Sequence, residues 1–462
     1  MPSSNRPDTA STRELSQRGG LEANAAWSIK NAPGNQGAAE GQRMEPRMDS
    51  GLDAGLRESS AIEGGNRNIG VASAASVARA SSLAAPAVHA MPAVTATRPA
   101  ERTFRVNNFD LLRILAATQV LVIHSMARLG IPVPGSLKWL EWFPGVPIFF
   151  VISGYLVSAS FERQDNVYRY LKNRFLRIYP GLWACIGLTV VVTSVLGYRR
   201  TQFMDFAWLP AQLVGFIYTP HFLKGFGAGT YNGSLWTIPI ELQFYVVLPL
   251  VYIAWRRLRM GTMGAPFFLA VFIVINLILN YALPGFGTER ESTVDKVIRY
   301  TFVSSFYMFL LGVTLQRFEA FKSRLIAGKG LYWIAAYVLL MIVLPELSPL
   351  TTVFSYLILG ISAVAVAYTV PRASELVLRG QDISYGVYIY HGLAINLLIE
   401  LKMRRGLYEV GVVLIAAFAV GAVSWKFIEE PFLRKKRRKL ALIPDESPAD
   451  ACGADPVLGP GA

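Results

Sequence analysis

Charged side chains are scarce in this sequence. Only 16% of its 462 residues are Asp, Glu, Lys or Arg, whereas about a quarter are charged in a typical soluble protein. Hydrophobic residues make up 53% of the chain, and its mean hydropathy is +0.37. This scarcity argues against a soluble globular domain and favours a chain that lies in a lipid bilayer.

Cysteine and histidine are scarcer still. Cys185 and Cys452 are the only cysteines, too few for a disulfide framework or a thiolate metal site. The four histidines include His89, in a polar segment, and have no ligand spacing, so we expect no metal. The N-terminus also lacks an apolar run behind a basic start, so no signal peptide is predicted.

The chain is nevertheless basic, with a formal net charge of +14. Its lysines and arginines occur in short clusters between long apolar stretches, as the positive-inside rule of membrane proteins places them. The charge therefore indicates a membrane topology, and we expect no nucleic-acid partner.

Two segments lack long apolar runs. Residues 1–103 are rich in Ala, Ser, Gly, Asn and Arg and have almost no aromatic residues, so they cannot bury enough apolar surface to fold. We expect a disordered N-terminal tail there, or a start codon assigned too far upstream of a true start near Thr103. Residues 434–462 begin with six basic residues and are predicted to continue as a second disordered tail.

Between these tails, residues 104–433 form a series of apolar segments of about 20 residues, the length that crosses a bilayer. A shorter segment, 206–219, is interrupted by Pro210 and is predicted to be re-entrant or interfacial. Ten spans are predicted: 109–129, 144–161, 178–197, 234–255, 266–284, 298–316, 331–346, 351–370, 382–401 and 407–427.

The loops set the orientation of these spans. With the N-terminus in the cytoplasm, most basic clusters fall in cytoplasmic loops. Two exceptions are the pair 199–200 and the cluster 402–405. The predicted fold is all-α, a polytopic integral membrane protein with about ten transmembrane helices and both termini cytoplasmic.

The first span carries ionisable residues, which are costly in hydrocarbon and usually face a bundle interior. Arg113 and His124 are eleven residues apart, close to three full helical turns, so they share one face about 16 Å apart along the axis. Taken alone, this pair is explained as well by two separate structural roles. The Arg113 side chain would extend to the membrane surface, and His124 would form a hydrogen bond with a neighbouring helix. Asp110 would neutralise Arg113.

The fourth span offers a partner for His124. Counted at 1.5 Å per residue, Glu241 lies about 10 Å below the outer end of its span and His124 about 8 Å below the outer end of its own. A carboxylate that orients an imidazole prepares a general base. The alternative is a structural Glu bonded to a Tyr or Trp.

Two more clusters bear on the site. Arg174 and Arg177, at the cytoplasmic mouth of the third span, share a face and suit phosphate groups. With Arg113 they would form a basic funnel for a phosphorylated donor, although a positive-inside stop signal explains them equally. His391, in the ninth span among tyrosines, is interpreted as a structural or supporting residue.

Over about 104–433 the chain resembles the bacterial acyltransferase-3 family of ten-span membrane proteins. Six motifs occur in the family's order. They are FDLLR at 109–113 with His124, GVPIFFVISGYL at 145–156, RFLRIYP at 174–180, SLWT at 234–237 with Glu241, SYG at 384–386 leading to His391, and EPF at 430–432. Many family members carry Asp where this chain has Pro147, so that position is given no role.

The resemblance implies an O-acyltransferase of the bacterial inner membrane. It would transfer an acyl group, typically acetyl from acetyl-CoA, to an extracytoplasmic carbohydrate such as exopolysaccharide or O-antigen. A second acyl-transfer step would need a separate extracytoplasmic partner. The family's functional positions fall on Arg113, His124, Arg174, Arg177, Ser234, Trp236 and Glu241, with Tyr385 and His391 in its SYG segment.

Two questions stay open at this point. His124 could deprotonate the acceptor hydroxyl or take the acyl group itself. A proton-coupled transporter of a glycan or lipid-linked precursor would also bury Arg, His and Glu. Transporters commonly contain internal repeats, and none is convincing in this sequence.

Overall fold

A computed structural model describes residues 107–164, 166–199, 203–283, 292–344, 348–370, 373–403 and 406–433. The predicted tails, 1–103 and 434–462, lie outside these ranges. All regular secondary structure in the described ranges is helical, as predicted.

Thirteen α-helices form the described part of the chain. They are α1 (Phe109–Leu129), α2 (Gly145–Glu162), α3 (Val167–Val195), α4 (Phe203–Leu213), α5 (Thr237–Arg257), α6 (Gly264–Ala282), α7 (Thr293–Arg299), α8 (Phe306–Arg317), α9 (Gly330–Val343), α10 (Pro349–Ala367), α11 (Ala373–Leu378), α12 (Ser384–Glu400) and α13 (Leu407–Ser424). Short 3₁₀ turns, Gly135–Trp142 and Gly233–Trp236, precede α2 and α5, and a π-helical turn, Trp425–Glu429, extends α13.

Among the described residues, seven helical segments are long and apolar enough to cross a membrane, so the chain is a polytopic membrane protein. These segments are Phe109–Leu129, Gly135–Glu162, Val167–Val195, Gly233–Arg257, Gly261–Ala282, Pro349–Ala367 and Leu407–Leu433.

The remaining three predicted spans coincide with shorter helices. In these regions α8 has 12 residues, α9 has 14 and α12 has 17. The apolar run 298–316 is longer than helix α8, because a 3₁₀ turn, Phe302–Ser304, precedes the first residue of α8. The predicted interfacial piece corresponds to α4, an 11-residue helix that contains Pro210.

Glycines allow the central helices to approach closely, as small residues do in membrane proteins. A Cβ added to Gly154 of α2 would collide with the Phe309 carbonyl of α8, and one added to Gly312 would collide with the Val151 carbonyl. A Cβ added to Gly386 of α12 would likewise collide with the backbone of Gly421 of α13. These contacts fix the position of α2 against α8 and of α12 against α13.

The junction of α1 and α2 is held by one amide. Gln119 donates from Nε2 to the Leu140 carbonyl (3.0 Å), and its Oε1 accepts from the backbone N–H of Gly145 (2.8 Å). The Gly145 N–H belongs to the first turn of α2, which lacks partners within its own helix. Gln119 therefore sets where α2 starts relative to α1.

Helix α12 has several neighbours in the bundle. It packs against α1, α3 and α13, and the turn Gly233–Trp236 lies against it. Helix α2 contacts α1 and α5. Side chains from α1, α2, α3, α5 and α12 consequently converge on one interior region.

Candidate active site

A cavity of about 360 Å³ occupies this interior region. Its lining includes the three predicted arginines, Arg113, Arg174 and Arg177, together with Glu241 and Tyr388. The structure therefore brings together residues from α1, α3, α5 and α12 that are far apart in the sequence.

Asp382 holds two of the arginines at one end of the cavity. It lies just before α12, and its Oδ2 accepts hydrogen bonds from Arg113 (3.2 Å) and Arg177. The Ser384 hydroxyl donates to its Oδ1. Asp110, the predicted partner of Arg113, is 4.0 Å away and about half exposed. Asp382 is thus the main counter-ion, and no sequence motif marks it.

Arg174 is placed differently. Its Nη2 donates to the Ser160 hydroxyl (3.0 Å), and its guanidinium lies over the Tyr245 ring, 5.9 Å from the centroid. Its Nε is buried without a hydrogen-bond partner, and no carboxylate forms an ion pair with it among the described residues. A guanidinium group that lines a cavity and has no ion-pair partner there suits a phosphate group.

Glu241 does not pair with His124, so that prediction was wrong. The Glu241 Oε1 accepts hydrogen bonds from the hydroxyls of Ser153 (3.2 Å) and Tyr245. Residue counting placed the two groups at one depth, but depth along a helix does not determine which neighbour a side chain faces. Glu241 remains a lining residue of the cavity.

A buried hydrogen-bond partner of His124 is His391. Its Nε2 lies 3.1 Å from Nδ1 of His124, and the two rings are 5.3 Å apart between centroids. Both side chains are buried, at 7% and 0% exposure, so a proton held between them is shielded from water. One nitrogen donates and the other accepts, so the tautomer of one ring determines that of the other.

Tyr388 connects the cavity to this histidine pair. Its hydroxyl shares a hydrogen bond with that of Thr237 (2.9 Å), and both residues line the cavity. Its ring makes an edge contact with His391, 5.8 Å between centroids. The end of the cavity at Tyr388 therefore adjoins the histidine pair.

Ser234 is hydrogen-bonded to Asn232, a residue that the sequence analysis did not assign to the site. The Ser234 hydroxyl donates to Asn232 Oδ1 (2.5 Å), and Asn232 Nδ2 donates to the Ile389 carbonyl of α12 (2.8 Å). A Cβ at Gly392 would collide with Asn232. These contacts hold the turn before α5 against α12, next to His391.

The other two predicted support residues also position helices. The Tyr385 hydroxyl donates to the Ile178 carbonyl of α3 (2.9 Å), which joins α12 to the helix that carries Arg174 and Arg177. Trp236 is buried and makes an edge contact with Tyr300, 6.2 Å between centroids. Within the described ranges, no group of three or more His, Cys, Asp or Glu side chains could hold a metal ion.

Several known proteins are similar to this chain. Residues 106–428 match a family model described as an acyltransferase domain. Nodulation protein 10 of Rhizobium leguminosarum bv. viciae is 30% identical over 363 residues, 72% of this chain and 95% of that protein. The O-acetyl transferase of Shigella phage Sf6 is 28% identical over 358 residues, 73% of this chain and 98% of that protein.

A more distant relative is the peptidoglycan O-acetyltransferase OatA of Listeria monocytogenes, 23% identical over 369 residues, 71% of this chain and 55% of that protein. No solved structure matches the chain.

The spans and the family match together define the class of this protein, a multi-pass membrane acyltransferase. The chain belongs to the acyltransferase-3 family of O-acyltransferases, and the resemblance carried by its six motifs is confirmed.

Proposed function

We propose that this protein transfers an acyl group, typically acetyl, from cytoplasmic acetyl-CoA to a hydroxyl of an extracytoplasmic carbohydrate such as exopolysaccharide or O-antigen. The names of relatives support this reaction class. One is an O-acetyl transferase, one a peptidoglycan O-acetyltransferase, and another an exopolysaccharide production protein, ExoZ of Rhizobium meliloti.

The proposal includes a ten-span topology in the bacterial inner membrane, with both termini cytoplasmic. The seven apolar segments together with α8, α9 and α12 supply ten helices. The positive-inside rule supports this orientation. Arg113 then lies toward the cytoplasm and His124 toward the outer face.

One observation carries the proposal: Tyr388, which lines the cavity that contains the three arginines, packs against His391 of the buried histidine pair. Arg113 and His124 occupy one helix about 16 Å apart along its axis. Tyr388 contacts both the cavity and His391. A donor bound at the arginines could therefore reach a reaction centre near the opposite face without leaving the protein.

The cavity suits the phosphates of an acyl-CoA donor. Arg174 has a buried Nε with no partner among the described residues, and Asp382 holds Arg113 and Arg177 in fixed positions. Arginine forks bind phosphate with paired, charge-assisted hydrogen bonds. When bound, acetyl-CoA supplies the activated acyl group as its thioester.

His124 would act on the acceptor, with His391 holding its ring. As a general base, His124 removes the proton of the acceptor hydroxyl while that oxygen bonds to the acyl carbon, and the proton then passes to the departing thiolate. As a covalent relay, His124 carries the acyl group from donor to acceptor. The geometry is compatible with both routes.

The test replaces His124 with Gln and measures O-acetylation of the host's surface glycan. We expect acetylation to be lost while the variant accumulates in the membrane at the normal level. The matched control is His221→Gln, because His221 is exposed and lies in the loop before α5. Normal acetylation by a normally produced His124→Gln protein would overturn the proposal.

A further inference from the structure

Thr237 and Tyr388, called here the hydroxyl pair, share a hydrogen bond of 2.9 Å, and both residues line the cavity. Thr237 is the first residue of α5, and Tyr388 lies in the second turn of α12. No other hydrogen bond joins either hydroxyl to a residue in the part of the chain that the structure describes. Each hydroxyl carries one hydrogen, and their mutual bond uses only one of the two, so the other hydrogen has no protein acceptor there.

Threonines elsewhere in the helices use their hydroxyl hydrogen within their own helix. Thr118, Thr189 and Thr193 each donate to the carbonyl oxygen four residues earlier, at 2.8 Å, a common arrangement for a helical threonine. Thr237 makes no such bond, because its hydroxyl is bonded only to Tyr388. The unused hydrogen is therefore a feature of the cavity wall and not of helical threonines in general.

A polar stripe on α5 leads from the proposed phosphate site to the hydroxyl pair. Thr237, Glu241 and Tyr245 follow one another at intervals of four residues, so they share one face of the helix, and all three line the cavity. The Arg174 guanidinium lies over the Tyr245 ring, and Tyr245 lies about 12 Å from Thr237 along the helix axis. A donor whose phosphates bind at Arg174 would extend its flexible arm along this stripe toward the hydroxyl pair.

The hydroxyl pair also lies beside the histidine pair. The Tyr388 ring makes an edge contact with His391, 5.8 Å between centroids, and His391 bonds His124. Since His124 acts on the acceptor in the proposed function, the reacting carbonyl has to lie near this part of the cavity. A purely structural link between α5 and α12 accounts for the bond between the two hydroxyls but leaves the second hydrogen unused.

Resting on the proposed acyltransferase function, we propose that the hydroxyl pair donates a hydrogen bond to the carbonyl oxygen of the acyl thioester. When the acceptor oxygen bonds to the acyl carbon, the carbonyl π electrons move to the carbonyl oxygen, and the donated hydrogen bond stabilises its negative charge. The carbonyl then re-forms as the C–S bond breaks, and the departing thiolate takes the proton that His124 removed from the acceptor. Thr237 and Tyr388 are thus catalytic residues at the acyl group.

The test observes the thioester carbonyl directly. Acetyl-CoA labelled with ¹³C at its carbonyl is bound to the full chain in lipid nanodiscs, without an acceptor, and the labelled C=O band is recorded by infrared difference spectroscopy. A hydrogen bond weakens the C=O bond and lowers its frequency. The band should therefore lie at lower frequency in the wild type than in the double variant Thr237→Val/Tyr388→Phe, which lacks both hydroxyls but keeps similar side-chain shapes.

A second double variant serves as the matched control. Thr118→Val/Tyr390→Phe also removes one threonine and one tyrosine hydroxyl, but neither residue lines the cavity. The Thr118 hydroxyl donates to the Ile114 carbonyl (2.8 Å), and the Tyr390 hydroxyl donates to Ser424 (3.2 Å). The carbonyl band of acetyl-CoA bound to this control should match that of the wild type.

Kinetics test the catalytic role. The variant that lacks both Thr237 and Tyr388 hydroxyls should lose about 100-fold in kcat, the scale of one oxyanion donor. Its Kd for acetyl-CoA should stay within about tenfold of the wild-type value, as expected for loss of one hydrogen bond, which also shows that it is folded. Thr237→Val alone and Tyr388→Phe alone should each keep part of the rate, because one hydroxyl hydrogen remains.

The outcomes separate this proposal from the proposed function. The same band frequency in the wild type and in the variants of the hydroxyl pair, or a shifted band with unchanged kcat, overturns the proposal while acyl transfer stands. A shifted band without any acyl transfer by the wild type rejects the reaction and leaves the carbonyl contact standing. Failure of the wild type to bind acetyl-CoA rejects both.

Discussion

Nδ1 of His124 lies 3.1 Å from Nε2 of His391, and this contact joins α1 to α12 inside the protein. Two imidazoles at hydrogen-bond distance cannot both be protonated without strong repulsion in a buried site. The pair therefore holds at most one excess proton and orients the ring of His124. His391 is a positioning residue in this account.

Replacing His391 with Ala should lower kcat for acyl transfer by about 100-fold, within the range of general acid–base contributions. The KM for acetyl-CoA should change little, because His391 does not line the cavity. His391→Gln, which keeps a hydrogen-bonding side chain, should recover part of the rate. Steady-state kinetics on the purified variants would separate the two constants. A raised KM with unchanged kcat would contradict the positioning role.

Arg174→Gln should raise the KM for acetyl-CoA by roughly 10- to 100-fold, as loss of one hydrogen bond between charged groups does. Its kcat at saturation should be retained if Arg174 contacts only the donor phosphates. Lys172→Gln is the matched control, since Lys172 is exposed on the same helix and does not line the cavity. Equal KM values for the two variants would count against donor binding at Arg174.

Asp382→Ala should destabilise the protein by about 3–5 kcal/mol, because it leaves the largely buried Arg113 and Arg177 without their counter-ion. Chemical unfolding in detergent would measure this loss. The control is Lys322→Ala, which breaks an exposed ion pair with Glu319 and should cost about 1 kcal/mol or less. Similar stabilities of the two variants would show that Asp382 is not the structural counter-ion.

Gly154→Ala should reduce the amount of folded protein, because its methyl group would collide with the Phe309 carbonyl. We expect a cost of at least about 1–3 kcal/mol from overpacking. Gly411→Ala in α13 meets nothing within 4 Å and should be neutral or stabilising by up to about 1 kcal/mol. Size-exclusion chromatography of the two variants gives the comparison, and equal recovery would contradict the close packing of α2 and α8.

The position of a residue along its helix could be predicted from the sequence, whereas the neighbouring helix that its side chain faces could not. Arg113, Arg174 and Arg177 were predicted to lie together and all three line one cavity, while their role in donor binding stays a prediction. Residue counting matched His124 with Glu241 because it gave the two residues about the same depth. His391, to which His124 bonds, is 267 residues away on α12, and only the tertiary packing brings it to α1.

Two further features escaped prediction for physical reasons. Asp382 lies in a turn before α12, and a single Asp in a loop carries no periodic signal. Helix α8 begins at Phe306, although the apolar run starts near residue 298, because hydropathy does not detect the 3₁₀ turn between them. Apolar composition thus predicts membrane burial better than it predicts helix ends.

The most direct test of acyl transfer across the membrane uses sealed inside-out vesicles, whose outer surface is the cytoplasmic face. Labelled acetyl-CoA is added outside, and an oligosaccharide acceptor is enclosed within. With the wild type, we predict alkali-labile acetyl ester on the enclosed oligosaccharide and one CoA thiol released outside per ester formed, and with His124→Gln neither product. Equal labelling by the His124→Gln protein, or oligosaccharide movement without consumption of acetyl-CoA, would contradict the account.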